Sequence, residues 1–234
     1  GSTTNDDETT IDNDHLNNLT TRLDRIKILL YEERSASSNA VTQSGSINLN
    51  WIPATATSVF KNFTMSTNGD DKQSSDVGDE TNSTTANYEL IPKLIQNLPL
   101  LPFEARKSVS AIFNYLLVCG LDGVDARQYM SVSSAFANYV LERAELIVGE
   151  LVRAHNCHQS TTPVDVTLLC GSMLRSSLRH ANIYRWMLAD GQCEKLVYPF
   201  LDSYVHNPNF DVSSDALETV RVMLTGATCS NIAI

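Results

Sequence analysis

Few residues in this chain have both the type and the spacing that chemistry needs. Ser58-Val59-Phe60-Lys61 fits S-x-x-K, the spacing at which a lysine sits beside a nucleophilic serine. The companion motifs of such hydrolases are absent and the segment is low in complexity, so chance accounts for it better. His155, Cys157 and His158 form a cluster of zinc-type donors. Zinc asks for a fourth ligand and paired spacings, which favours reading them as polar residues at a helix end. The acids Asp70, Asp71, Asp76, Asp79 and Glu80 lack the EF-hand order and its flanking helices, and read as a solvated linker. The ten glycines never fall as G-x-G-x-x-G or before Lys-Ser/Thr, and H-E-x-x-H and G-x-S-x-G do not occur, so no motif offers a phosphate cradle or a hydrolytic centre. The expectation is a chain with no catalytic residue, no metal and no cofactor.

Recognition chemistry is easier to find. If residues 163–180 are helical, Leu168, Ser172, Arg175 and Arg179 share the face opposite the apolar one. Arg175 and Arg179 are then one turn apart and can address one surface. Arginine suits that role because its planar fork pairs carboxylates while its stem packs. The last patterned helix adds Asp215, Glu218, Thr219 and Arg221. Two readings compete: these side chains hold a protein partner, or they bridge within the fold, for example Arg179 to an acid on the next helix. For the face as a whole partner binding is preferred, with Ser172, Arg175, Arg179, Asp215, Glu218 and Arg221 as candidates.

The elements that would position them are helices. Leu16, Leu19, Leu23, Ile26 and Leu30 follow 3- and 4-residue steps, which predicts a helix to about Glu33. Residues 35–86 are rich in Ser, Thr, Asn, Asp and Gly, too polar to offset the entropy of ordering, and predict an insertion or linker. Its apolar island, Trp51 to Met65, either packs back or docks a partner, the first being preferred. From Tyr88 onward the pattern is helical: 90–98, then Pro102 to Cys119, then a loop near Leu121–Ser134, then one long helix through Phe136 to about His155. Thr162 and Asp211 are candidate caps for helices starting near 163 and 211, and Pro199 must kink a helix or start one. The three best-patterned helices begin near 102, 163 and 211, about 60 and about 48 residues apart, against roughly 40–47 in armadillo and HEAT units. The fold class expected is therefore all-α, an armadillo/HEAT-like helical-repeat superhelix. Its divisions are a tag scar and tail (1–14), an N-terminal helix (15–34), the insertion (35–86) and a repeat domain (87–234).

Composition agrees. The chain has 234 residues, 42% apolar, enough for a core, with only 10 Gly and 7 Pro. Acids outnumber bases 27 to 17, a net charge of −10, which speaks against a phosphate-backbone binder. Residues 1–86 hold 13 of the acids and 6 of the bases, so most of that charge lies outside the repeat domain. No apolar run approaches the roughly 20 residues that span a bilayer. The five cysteines are odd in number and widely spaced, which favours reduced thiols in a cytoplasmic setting over a disulfide framework. The three N-x-[ST] sequons then read as chance matches.

Three ordered stretches give a resemblance. Cys170-Gly171-Ser172-Met173-Leu174-Arg175 with Leu178-Arg179-His180 resembles a signature of the calcium-binding protein 39 family, the mouse-protein-25-like scaffolds. Leu90 to Tyr115, ending in Ile112-Phe113-Asn114, is similar to its early repeat. Phe210 to Ala216, with Leu224-Thr225, is similar to the helix lining the next one. The likeness spans about residues 88–225, with a weaker echo at Ile28-Leu29-Leu30-Tyr31. It implies a curved, non-catalytic repeat scaffold that binds protein kinases and pseudokinases along its concave face and holds them active, without a calcium site. The partner classes implied are STRAD-type pseudokinases, sterile-20-type kinases and, in fungi, pathways ending in NDR-type kinases. Two departures stand out: the 35–86 insertion, and the end at Ile234 where family members continue. The family's pocket for a Trp-containing tail lies in those further repeats and is not assigned to this chain. A stack ending there would show an uncapped apolar face, which favours either a truncated chain or a homo-oligomer.

Overall fold

The computed structural model of the chain describes residues 13–44, 90–118, 126–156 and 162–225. Their regular structure is helical, with no strand among the described residues. The helices are α1 (Asn13–Ser44), α2 (Leu90–Gln96), α3 (Phe103–Val118), α4 (Ala126–Glu142), α5 (Ala144–Arg153), α6 (Val164–Leu178), α7 (Ala181–Leu188), α8 (Gln192–Leu196), α9 (Tyr198–Asp202) and α10 (Phe210–Thr225). Short 3-10 turns cover Leu98–Leu100 and Tyr204–His206.

These helices stack like on like. α1, α3, α6 and α10 form a ladder in which each rung packs on the next, and α4 packs on α7 beside it. α3 and α4 therefore occupy places equivalent to α6 and α7 in successive units, and α5 packs on α6 as α9 and the Tyr204–His206 turn pack on α10, which is the repeat architecture that the spacing predicted. A rung between two others must bury two faces. On α3 the buried set is accordingly broad: Ala105, Ser108, Val109, Ser110, Ile112, Phe113, Tyr115, Leu116 and Leu117. α6 has a similar set, with Val166, Thr167, Cys170, Gly171, Met173, Leu174, Ser177 and Leu178 buried, while Leu169 is half-buried. α10 buries one stripe only, Val212, Ala216, Thr219, Val220 and Met223. On its other side Phe210, Leu217 and Leu224 recur every seventh residue and are exposed. The core joins the units through Phe113, Phe136 and Phe200, each fully buried, with Phe113 edge-on to Phe136 at 5.4 Å.

The structure corrects several boundaries. α1 does not stop near Glu33 but runs to Ser44; no Pro or Gly occurs between Leu16 and Gly45 to break it. The rest of the 35–86 stretch, with its apolar island and Ser58–Lys61, lies outside the described residues. The loop expected at 121–134 is shorter, because α4 begins at Ala126. The single helix expected to reach His155 is two, broken at Arg143, whose φ of −118° and ψ of 27° leave the helical region. No Gly or Pro marks this break. The Arg143 guanidinium instead covers the Tyr139 ring at 4.3 Å, and its amide bonds back only three residues, to the Val140 carbonyl.

Two caps also differ. The cap position of α6 is Pro163, with no side-chain cap from Thr162. For α10, Asn209 does the work expected of Asp211: its Oδ1 accepts from the amides of Asp211 and Val212 at 3.0 and 3.2 Å. Asn207 accepts in turn from the Asn209 amide, and this orders the Asn-Pro-Asn turn. Pro199 lies in the first turn of α9 and marks its start. Gly191, with φ +79°, separates α7 from α8 in a conformation that glycine adopts without strain.

Candidate functional site

The side chains singled out for recognition lie along the α3–α6–α10 ladder, and most of the bonds there run between rungs. At the near end Arg106 of α3 reaches Asp165 in the first turn of α6 at 2.8 Å. The same guanidinium donates to the carbonyls of Leu101 and Pro99 at 2.7 and 2.8 Å, which fastens the turn before α3 to α6. Midway, Asn114 Nδ2 donates to Ser172 Oγ at 3.0 Å. At the far end His180 Nε2 meets the Leu117 carbonyl at 2.8 Å. Burial of this ring, helped by the charge on Arg179, holds His180 below the usual histidine range against the opposing pull of the carbonyl.

Between α6 and α10 the contact is ionic. Arg175 Nη2 donates to Asp215 Oδ1 at 2.8 Å, and Nη1 donates to the Asp215 carbonyl and to Thr219 Oγ1 at 3.2 and 2.8 Å. The second oxygen of Asp215 lies 3.2 Å from His155 Nε2, and His155 Nδ1 lies 3.2 Å from the Leu151 carbonyl. The side chains of Asp215, Arg175 and His155 are 10%, 22% and 0% exposed. Burial by itself would raise the Asp215 carboxyl. The hydrogen bonds and charges of His155 and Arg175 outweigh that and hold it below the ordinary aspartate value. His155 is flanked by Phe200 and Tyr204, with ring centres 5.0 and 5.9 Å away.

Gly171 makes this joint physically possible. A Cβ there would sit 1.9 Å from Asp215 Oδ2 and 2.8 Å from its Cγ, so only glycine lets the carboxylate lie against the α6 backbone. Next to it the Cys170 thiol is pushed up to about 12, by burial first and by the nearby charges of Asp215 and Glu150 second. It is an inert core group.

Of the six residues expected to bind a partner, the structure brings all six onto α6 and α10 but divides them. Arg175 and Asp215 turn to each other, so their geometry follows the bridging alternative. Ser172 is half-buried beside Asn114. Arg179, at the end of α6, is exposed. Glu218 and Arg221 form a bidentate surface pair within α10, with bonds of 2.7 and 2.5 Å. That pairing lowers the glutamate below its usual range. Thr219, named only as a polar neighbour, is fully buried under Arg175.

Sequence reasoning missed His155 as a joint residue and took it for a polar helix end. Its partner is 60 positions away, and nothing local signals that. Arg106 and Asn114 were missed for the same reason. Gly171 did carry a signal: a glycine inside a helical run costs about 1 kcal/mol relative to alanine and so usually has a packing reason. Cys157 and His158 lie outside the described residues. Among the described residues no group of three or more His, Cys, Asp or Glu side chains could hold a metal ion.

The geometry thus defines an all-α repeat protein whose rungs are cross-linked by polar side chains. The chain belongs to the Mo25-like family, whose model matches residues 54–230. It is similar to MO25-like protein 2 of Caenorhabditis elegans, 29% identical over 59% of this chain and 35% of that protein. It is similar also to human calcium-binding protein 39-like, 28% identical over 58% of this chain and 34% of that protein. The mouse protein of the same name is 27% identical over 58% and 34%. The aligned part of the chain thus spans about a third of the length of these relatives. The family match begins inside the segment read as an insertion. The three stretches that carry the resemblance are stitched together here, by Asn114 to Ser172 and by Arg175 to Asp215.

Proposed function

We propose that this chain is a non-catalytic scaffold element that binds a protein kinase or pseudokinase along the α6–α10 face and favours its active conformation. Membership of the Mo25-like family supports the reading. The observation that carries it is the division of charges on that face. Arg175 and Asp215 fix α6 to α10, while Arg179, Glu218 and Arg221 sit at the surface of the two fixed helices. A rigid frame that presents polar groups at set spacing suits a partner which must be held in one of two shapes. The mechanism is population shift: a scaffold that binds the active state more tightly raises its fraction by the ratio of the two affinities. The partner classes are those that the resemblance implies, STRAD-type pseudokinases and sterile-20-type or NDR-pathway kinases. A cytoplasmic setting belongs to the same proposal; no described helix is long and apolar enough to cross a membrane.

The experiment is phosphorylation by a purified sterile-20-type kinase with and without saturating chain. The expected result is a higher rate with the chain, reduced by Arg179→Ala combined with Arg221→Ala. Arg175→Ala is unsuitable, because it opens the joint as well as the face. Unchanged activity, with capture of disordered peptides and no kinase, would favour a generic armadillo-type adaptor for peptide motifs.

A further inference from the structure

We propose that His155 is carried as an imidazolium inside the α5–α6–α10 joint, and that its second ring proton ties the seating of α10 to pH. Each ring nitrogen faces a group that only accepts: the Leu151 carbonyl at Nδ1 and the Asp215 carboxylate at Nε2, both at 3.2 Å. A neutral imidazole has one N–H and serves one of them. The ring is fully buried, so water cannot serve the other. Only the doubly protonated ring satisfies both acceptors. Phe200 and Tyr204 against the ring suit a cation as well.

The other titratable groups in the joint leave this assignment in place. From α10 comes Asp215, which already accepts from Arg175 of α6 through its other oxygen. From α6 also comes the Cys170 thiol, held neutral by burial. The 3-10 turn supplies the Tyr204 hydroxyl. On α5 itself Glu150 is paired with Arg153. Asp215 thus bridges two cations, and α10 is held by both. When the ring loses its second proton, one bond must go: either Asp215 loses its tie to α5, or the Leu151 carbonyl is left unpaired inside the core. The contribution is present where the ring is charged and is lost as pH rises. The face carrying Glu218 and Arg221 would then sit on a looser helix.

Two measurements on the full chain test this. Ring 15N shifts of His155 at about pH 6 should show both nitrogens protonated; one unprotonated nitrogen there overturns the proposal. Hydrogen exchange of the α10 amides, corrected for intrinsic rate, should show protection falling by about tenfold from about pH 6 to about pH 8. His155→Gln, which keeps a donor but cannot titrate, should abolish that dependence. The same fall in His155→Gln would assign it to another group, such as His180 or His206, and reject the proposal. If His155→Gln does not fold, the ring shifts of the unsubstituted chain decide alone.

Discussion

Gly171→Ala should destabilise the chain although it replaces a helical glycine by the best helix former. The added Cβ would lie 1.9 Å from Asp215 Oδ2 and 2.8 Å from Cγ, with Arg175 Nη1 at 3.1 Å. The carboxylate must therefore move, and it cannot do so without releasing Arg175 and His155. Each charge-assisted bond is worth about 1.5–3 kcal/mol, discounted here because Arg175 is about a fifth exposed. Alanine returns about 1 kcal/mol of helix propensity. The balance is a loss of about 2 kcal/mol. Gly149 of α5 is the control: a Cβ there meets nothing within 4 Å, so Gly149→Ala should gain about 0.5–1 kcal/mol. Urea unfolding followed by circular dichroism should separate the two variants by about 3 kcal/mol. In an Asp215→Ala background the Gly171→Ala penalty should vanish, since the clashing atoms are gone. Gly171→Ala as stable as Gly149→Ala would mean that the Asp215 carboxylate does not lie against the α6 backbone.

Other outcomes follow from the same geometry. Because Asp215 is held below its usual value of 3.8, its contribution to stability is present above that pH and lost as pH falls through the lowered value. Asp215→Asn should flatten the acid limb of a stability–pH profile. Arg106→Ala should cost about 1–3 kcal/mol by chemical denaturation, since it removes the tie to Asp165 and leaves two carbonyls without their donor. Cys170 should resist alkylation in the folded chain and react only on unfolding, read by peptide mapping after labelling.

Much of the fold was legible because rung helices write their burial into periodicity. α3, α6 and α10 each showed an apolar stripe, and α6 and α10 a start signal as well. Their spacing already suggested a repeat, since like helices can stack only if they recur. What stayed hidden was whatever depends on contacts far along the chain. The break at Arg143 falls where no residue type demands a turn, and shows only in its φ of −118° and ψ of 27°. The shift of the α10 cap from Asp211 to Asn209 is finer than composition can resolve, as both residues are good caps. At the site, helical spacing put Ser172 and Arg175 on α6 and Arg179 at its end, one turn apart. It could not say that Arg175 would spend its charge on Asp215, 40 residues away. Gly171 and His155 complete that pair from a helix interior and a helix end, positions whose meaning appears only when α5, α6 and α10 meet.

The proposed binding face consists of Arg179, Glu218 and Arg221 on a frame fixed by Arg175 and Asp215. Its most direct test is a calorimetric titration of the chain with a purified sterile-20-type kinase domain, repeated with Arg179→Glu combined with Arg221→Glu. Saturable binding is expected, weakened at least about tenfold by the double charge reversal, with the helical circular dichroism spectrum unchanged. Binding that is equally tight in the variant would contradict it.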